Sequence, residues 1–256
     1  MLDHKPDQAP WTIQQTIIGT ICTLVPWLFF VFGLSSRDTS STVHIPPLTF
    51  QKDLQNAIFT FIISSLIEAA FLVAPLYIAD RAVHAITPHV RLMWQALGFR
   101  RFKPGQAFAW IAILIVAIIG VDNLYQFVIT TLHLHLQTND QVILAHSSAA
   151  PITTYAILAV AVIVAPFCEE IFFRGFVFPG LLRGMPLGWA ILISSLLFAI
   201  AHGDPASFPV LFIIGLALAF LRWRTHSIWP GIMLHMLNNG LGAITIILIM
   251  NHIIKP

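Results

Sequence analysis

Seven stretches of this chain are apolar for long enough to cross a membrane, and nothing else about the sequence limits its fold as strongly. They run from 12 to 34, 54 to 79, 107 to 132, 152 to 178, 187 to 203, 209 to 224 and 228 to 251, judged against the about 20 helical residues that span a hydrocarbon core of roughly 30 Å. Composition agrees: 57% of residues are hydrophobic and 9% charged, where an ordinary soluble domain carries about 25% charged residues. The expected fold is an all-α polytopic transmembrane bundle of about seven spans, with membrane lipid as its surroundings. A net charge of +2 is too small to suggest a nucleic-acid partner. Cys22 and Cys168 each fall in an apolar run and read as packed thiols, not as a disulfide or a metal pair.

The first span has no strongly basic start and no small-residue cleavage site, so it reads as a retained helix and not a signal peptide. Orientation follows from lysine and arginine, which are enriched in cytoplasmic loops. Placing Arg81, Arg91, Arg100, Arg101 and Lys103 inside also places Lys5, Arg174, Arg183, Arg222 and Arg224 inside, and leaves Arg37, Lys52 and Lys255 outside. The N-terminus is then expected in the cytoplasm and the C-terminus outside. The chain divides near residue 150, after the polar stretch from Thr138 to Ser148. Residues 1–150 form three N-terminal accessory spans, and residues 151–256 form four closely spaced ones.

The second part holds polar residues that do not belong in lipid. An ionisable residue at the centre of a span costs at least about 2.5 to 3.5 kcal/mol on insertion scales, so each is a candidate functional group. Glu169 and Glu170 are adjacent, about 100° apart on a helix. Glu170 stands four residues before Arg174, the favourable order for an ion pair, which leaves Glu169 free to act. Phe198 lies one turn before His202, and His235 one turn before Asn239, with Asn238 as an adjacent alternative. Taken singly, each has a bland reading: solvated carboxylates, a core histidine, a hydrogen-bonded bridge between helices. A carboxylate, two imidazoles and an amide on three helices can also make a hydrolytic site, with a base for water and donors for an oxyanion. The alternative is a divalent metal such as zinc on Glu169, His202 and His235 acting as a Lewis acid. The absence of HExxH, and asparagine's rarity as a zinc ligand, favour the metal-free version.

In this order the three motifs resemble those of the CPBP family of membrane proteases, the CAAX proteases and bacteriocin-processing enzymes also called Abi. Its EExxxR, FxxxH and HxxxN patterns correspond here to Glu169, Glu170 and Arg174, to Phe198 and His202, and to His235 and Asn239. The resemblance covers roughly residues 151 to 245 and makes 151–256 a CPBP-like catalytic core. It implies an intramembrane endopeptidase in which Glu169 and His202 activate water and His235 and Asn239 form the oxyanion site. Glu170, Arg174 and Phe198 would support them. The substrate would be a membrane-associated peptide or protein, not necessarily prenylated. The short, loop-poor architecture suggests a bacterial plasma membrane.

Span arithmetic opposes this site. It puts Glu169 near the cytoplasmic side of span four and His202 near the far end of span five, a mismatch on the order of 15 Å. A shared site requires residues 179 to 186 to dip inward, span five to start deep, or Gly203 to Pro209 to fold into a cavity. Two other function classes compete. Glu68 and Asp122 lie near mid-span and suit a proton-coupled transporter, and a non-catalytic scaffold or immunity protein could share the fold. His133, His135 and His146 could form a surface metal site but read better as interfacial. Trp11, Trp94, Trp110, Trp189 and Trp229 suit an aromatic belt.

Overall fold

The computed structural model describes residues 9–35, 47–85, 90–134 and 136–255. Lys5, Arg37 and His135, used in the reading above, lie outside them. Among the described residues the chain is helical, with no strand. Six helices are long and apolar enough to cross a membrane: Ile13–Gly33, Phe50–His84, Pro104–Thr131, Pro151–Leu181, Phe208–Thr225 and Trp229–Met250. The seventh apolar stretch forms a helix of 15 residues, Leu187–Ala201, about 22 Å long and shorter than the hydrocarbon core.

The elements are α1 (Ile13–Ser35), α2 (Phe50–Ala69), a 3₁₀ turn (Ala70–Leu72), α3 (Val73–His84), α4 (Val90–Ala96), α5 (Pro104–Thr131) and α6 (Asn139–Ser147). Then come α7 (Pro151–Ala159), a π segment (Val160–Val164), α8 (Ala165–Glu170), a second π segment (Ile171–Val177) and α9 (Phe178–Leu181), which together make one continuous helix. It is followed by α10 (Leu187–Ala201), α11 (Phe208–Thr225) and α12 (Trp229–Met250).

The helix Pro151–Leu181 is the centre of the bundle. Of its apolar window 56% is buried, against 11–17% for the first three spans, which face outward. Its phenylalanines make the core: Phe172, Phe173, Phe176 and Phe178 are fully buried. Phe173 meets Phe198 of α10 edge-on at 5.4 Å, and Phe172 meets Phe71 of the 3₁₀ turn at 5.2 Å. Trp11 stacks on Phe176 at 5.3 Å and is wholly buried, so it is a core residue and not part of an aromatic belt. Trp94, Trp189 and Trp229 remain exposed. Both cysteines are free; Cys168 is buried, as its apolar run suggested, but Cys22 is exposed on α1.

The depth mismatch disappears for a simple reason. The helix bearing Glu169 continues to Leu181, three residues beyond the expected end. It descends about 18 Å past Glu169, and α10 climbs back about 21 Å, so His202 regains nearly the same level. The turn between them is enclosed by the chain's own N-terminal segment. Arg183 Nη1 donates to the carbonyls of Pro10 at 2.9 Å and Trp11 at 3.2 Å, and the Ala9 N–H donates to the Pro179 carbonyl.

The N-terminal spans are pinned to the core helix by a buried carboxylate that the sequence reading passed over. Asp53, in the first turn of α2, accepts from the Ile152 N–H at 2.8 Å, the Thr153 N–H at 3.0 Å and the Thr153 hydroxyl at 2.7 Å. A helix start leaves N–H groups without intrahelical partners and carries partial positive charge. The N-cap residue of α7, Ala150, offers no side-chain acceptor, so Asp53 supplies one from another helix. Asp53→Ala strands these donors and is expected to cost about 1 to 3 kcal/mol, read as earlier unfolding in detergent, with Asp53→Asn intermediate. An alanine variant as stable as the wild type would remove this carboxylate from the joint.

Candidate active site

Glu169 and Glu170 sit at the end of α8 between two π segments, and their neighbouring directions lead to different partners. Glu170 is fully buried, with Oε1 2.8 Å from Arg174 Nη1. Arg174, also fully buried, donates from Nη2 to the Gly215 carbonyl at 3.2 Å and lies over the Phe198 ring at 4.3 Å. Such a cation is held by its carboxylate, a backbone dipole and an aromatic face together. On its other side Glu170 Oε1 is 3.4 Å from His235 Nδ1. Gly231, one turn before His235 on α12, makes this approach possible: a Cβ there would stand 2.8 Å from Glu170 Oε2.

Glu169 faces the two histidines. Its Oε2 lies 3.9 Å from His202 Nε2 and 4.0 Å from His235 Nε2. The Nδ1 of His202 is 2.8 Å from the Phe198 carbonyl. A carbonyl only accepts, so Nδ1 carries the hydrogen and Nε2, toward Glu169, is left to exchange a proton. The Phe198 ring lies against both imidazoles, 4.6 Å from His202 and 5.5 Å from His235.

Asn239 stands one turn beyond His235. Its Nδ2 donates to the Ala161 carbonyl at 2.9 Å, and its Oδ1 accepts from Asn238 Nδ2 at 3.3 Å. Ala161 belongs to the first π segment, where the regular helical ladder is interrupted and the following Pro166 lacks an N–H. Asn239 thus uses a carbonyl that the local irregularity exposes. His202, Asn238 and Asn239 line a cavity of about 610 Å³.

The turn after His202 is held firmly. Trp27 Nε1 of α1 donates to the Ala201 carbonyl at 2.6 Å, and the Tyr125 hydroxyl of α5 donates to the Ala206 carbonyl. Asp204 accepts from the Asn139 N–H at 2.9 Å and from the Ser207 hydroxyl at 2.8 Å. Asp122 lies on the wall of the same cavity, whereas Glu68 is on α2, against α8.

Glu169, His202 and His235 were the expected metal ligands, if a metal is present. Tetrahedral ligand atoms about 2.1 Å from zinc lie only about 3.4 Å from one another, closer than the 3.9 and 4.0 Å here. Among the described residues no group of three or more His, Cys, Asp or Glu side chains is placed to hold a metal ion. That includes His133 and His146, both exposed. The donors do not fit such an ion as arranged, and the chemistry derived for the site uses side chains alone.

Asp53 and Gly231 went unread in the sequence. Gly231 had a signal, since it shares with His235 and Asn239 a spacing of four residues and therefore one helix face. Asp53 had none, because its partner lies about a hundred residues away.

Residues 151–241 match the family described as type II CAAX prenyl endopeptidase Rce1-like. The chain is also similar to a protein of Bacillus subtilis (strain 168) named "Putative membrane peptidase YdiL", 37% identical over 101 residues. That match spans 40% of this chain and 40% of the relative. No solved structure matches. The family match encloses α7 through the first half of α12, and with it every residue of the Glu169 cluster, from Glu170 and Arg174 to Asn239. Over this segment the chain is similar to the CAAX proteases, in the same residues whose motifs resemble the CPBP family.

Proposed function

We propose that this chain is an integral membrane endopeptidase that cleaves a membrane-associated peptide or protein. The observation that carries the reading is the convergence of Glu169 Oε2 with the Nε2 atoms of His202 and His235, within 4.0 Å, beside a cavity of about 610 Å³. Two atoms 3.9 Å apart are too far for a hydrogen bond, yet both can lie about 2.8 Å from one water oxygen. In this reading Glu169 takes a proton from that water while His202 holds it. The oxygen adds to the peptide carbonyl carbon, and negative charge moves to the carbonyl oxygen.

That oxyanion needs donors. Asn239 has a second amide hydrogen beyond the one given to Ala161. His235 can present an N–H from Nε2 as an imidazolium, with both ring nitrogens protonated and the Glu170 carboxylate facing its Nδ1. The C–N bond then breaks, the proton held on Glu169 passes to the leaving amine, and the products are a carboxylic acid and an amine, between which a proton then passes to give carboxylate and ammonium. Glu170 and Arg174 support the site by orienting His235, and Phe198 by packing against both imidazoles. The arginine-rich side, with Arg81, Arg91, Arg100 and Arg101, faces the cytoplasm in this reading.

The test is a comparison of membrane peptides from cells carrying the wild type or Glu169→Ala. A product made only by the wild type is expected, and identical peptide profiles would sink the proposal. On a peptide identified in this way, Glu169→Gln is expected to lower kcat by about 10² to 10⁴, and Asn239→Ala by about 10², mostly in kcat and not in KM. The ion pair makes a separate prediction. Arg174→Met, which leaves Glu170 buried without its arginine, is expected to cost about 3 to 5 kcal/mol of stability, and Glu170→Gln in the same chain should restore much of it. Equal stability of the two variants in detergent unfolding would refute the pairing.

A further inference from the structure

Three buried polar atoms on α2 and α8, two helices in contact, have no hydrogen-bond partner among the described residues: Ser65 Oγ and Glu68 Oε2 on α2, and Glu169 Oε2 on α8. Ser65 and Glu68 are three residues apart and share one face of α2. Glu68 interacts electrostatically with Glu169 and with the neighbouring Cys168, so that face is turned to the active-site end of α8. Glu169 itself is 8% exposed. Nearly all buried polar atoms in folded proteins have a partner, and a carboxyl group within a span is costly unless something uses it. The proposed mechanism leaves Glu68 unused.

We propose that Glu68, assisted by Ser65, is a further catalytic residue contributed by the N-terminal spans, the second carboxyl group that holds the attacking water on Glu169. This rests on the endopeptidase reading. A buried water needs two to four polar partners, and the three orphaned atoms supply three. A water that shares one hydrogen between Glu169 and His202, points the other at Glu68 and accepts from the Ser65 hydroxyl has one lone pair left, aimed at the substrate carbonyl. Orienting the nucleophile in this way lowers the barrier without any new bond to the substrate. Ser65 and Glu68 lie outside the matched segment 151–241, so the site would be complete only with both parts of the chain.

Two measurements on the full chain decide this. The first is an experimental structure in lipid or detergent that resolves ordered solvent. It is expected to show a water within about 3.2 Å of Oε2 of both Glu68 and Glu169, absent from Glu68→Ala; no water there, or protein donors on these oxygens, overturns the proposal. The second uses an internally quenched peptide bearing the sequence that wild type cuts and Glu169→Ala does not. Glu68→Gln, which preserves shape, and Glu68→Ala are each expected to lose about tenfold or more in kcat, with KM changed by less than about twofold. Formate should restore part of the rate to Glu68→Ala and none to Glu68→Gln, a rescue that a merely structural carboxylate would not show. An unchanged kcat in Glu68→Gln overturns the proposal while the wild-type cleavage stands. If no peptide is cut by the wild type and spared by Glu169→Ala, the endopeptidase reading falls instead, and the water still decides the role of Glu68.

Discussion

The Glu170 carboxylate, buried at the centre of an apolar bundle, is the group around which the rest is arranged. A lone charge there would be prohibitive. It persists because Arg174 meets it at 2.8 Å, and because Arg174 in turn has the Gly215 carbonyl and the Phe198 ring. Each partner adds a helix to the assembly: Gly215 belongs to α11 and Phe198 to α10. His235, on α12, approaches the same carboxylate through the space that Gly231 leaves open. One buried ion pair therefore sets the mutual position of four helices, and with them the histidines that face Glu169.

Much of this was legible because it is local. The Glu170–Arg174 pair follows from a separation of four residues, and the pairs Phe198–His202 and His235–Asn239 each lie along one face for the same reason. Apolar run length located all seven helices, since each had to be apolar whether it faced lipid or protein. What could not be read depends on contacts between distant segments. Trp11 resembles an interfacial residue by position, but Phe176 stacks on it and buries it. Asp53 looks like a polar residue at a span boundary, yet it completes the start of α7.

The misread depth has a separate cause. Treating span five as a full crossing placed its end at a membrane surface, and no hydropathy argument distinguishes a 17-residue stretch that crosses from a 15-residue helix that does not. Only the contacts that close the turn before α10, from Arg183 to the N-terminal carbonyls, show where this helix begins. Those donors and acceptors are 172 and 173 residues apart in the chain and carry no local pattern.

The short helix also explains how its histidine is aimed. A helix that ends inside a protein leaves carbonyls without N–H partners, and in this bundle they must be met by side chains. At the end of α10 the Phe198 carbonyl takes His202 Nδ1, and the Ala201 carbonyl takes Trp27 Nε1. In the first π segment the Ala161 carbonyl takes Asn239 Nδ2. The two side chains assigned to opposite ends of the proposed reaction, one to the water and one to the oxyanion, are therefore oriented by the same device, a backbone carbonyl released where a helix stops or widens. A full-length α10 or a regular helix through Ala161 would bond these carbonyls internally and leave both side chains free to turn. Irregular helices at this depth are thus a condition for a rigid polar site in an apolar bundle, because lipid offers no water to hold such groups in place.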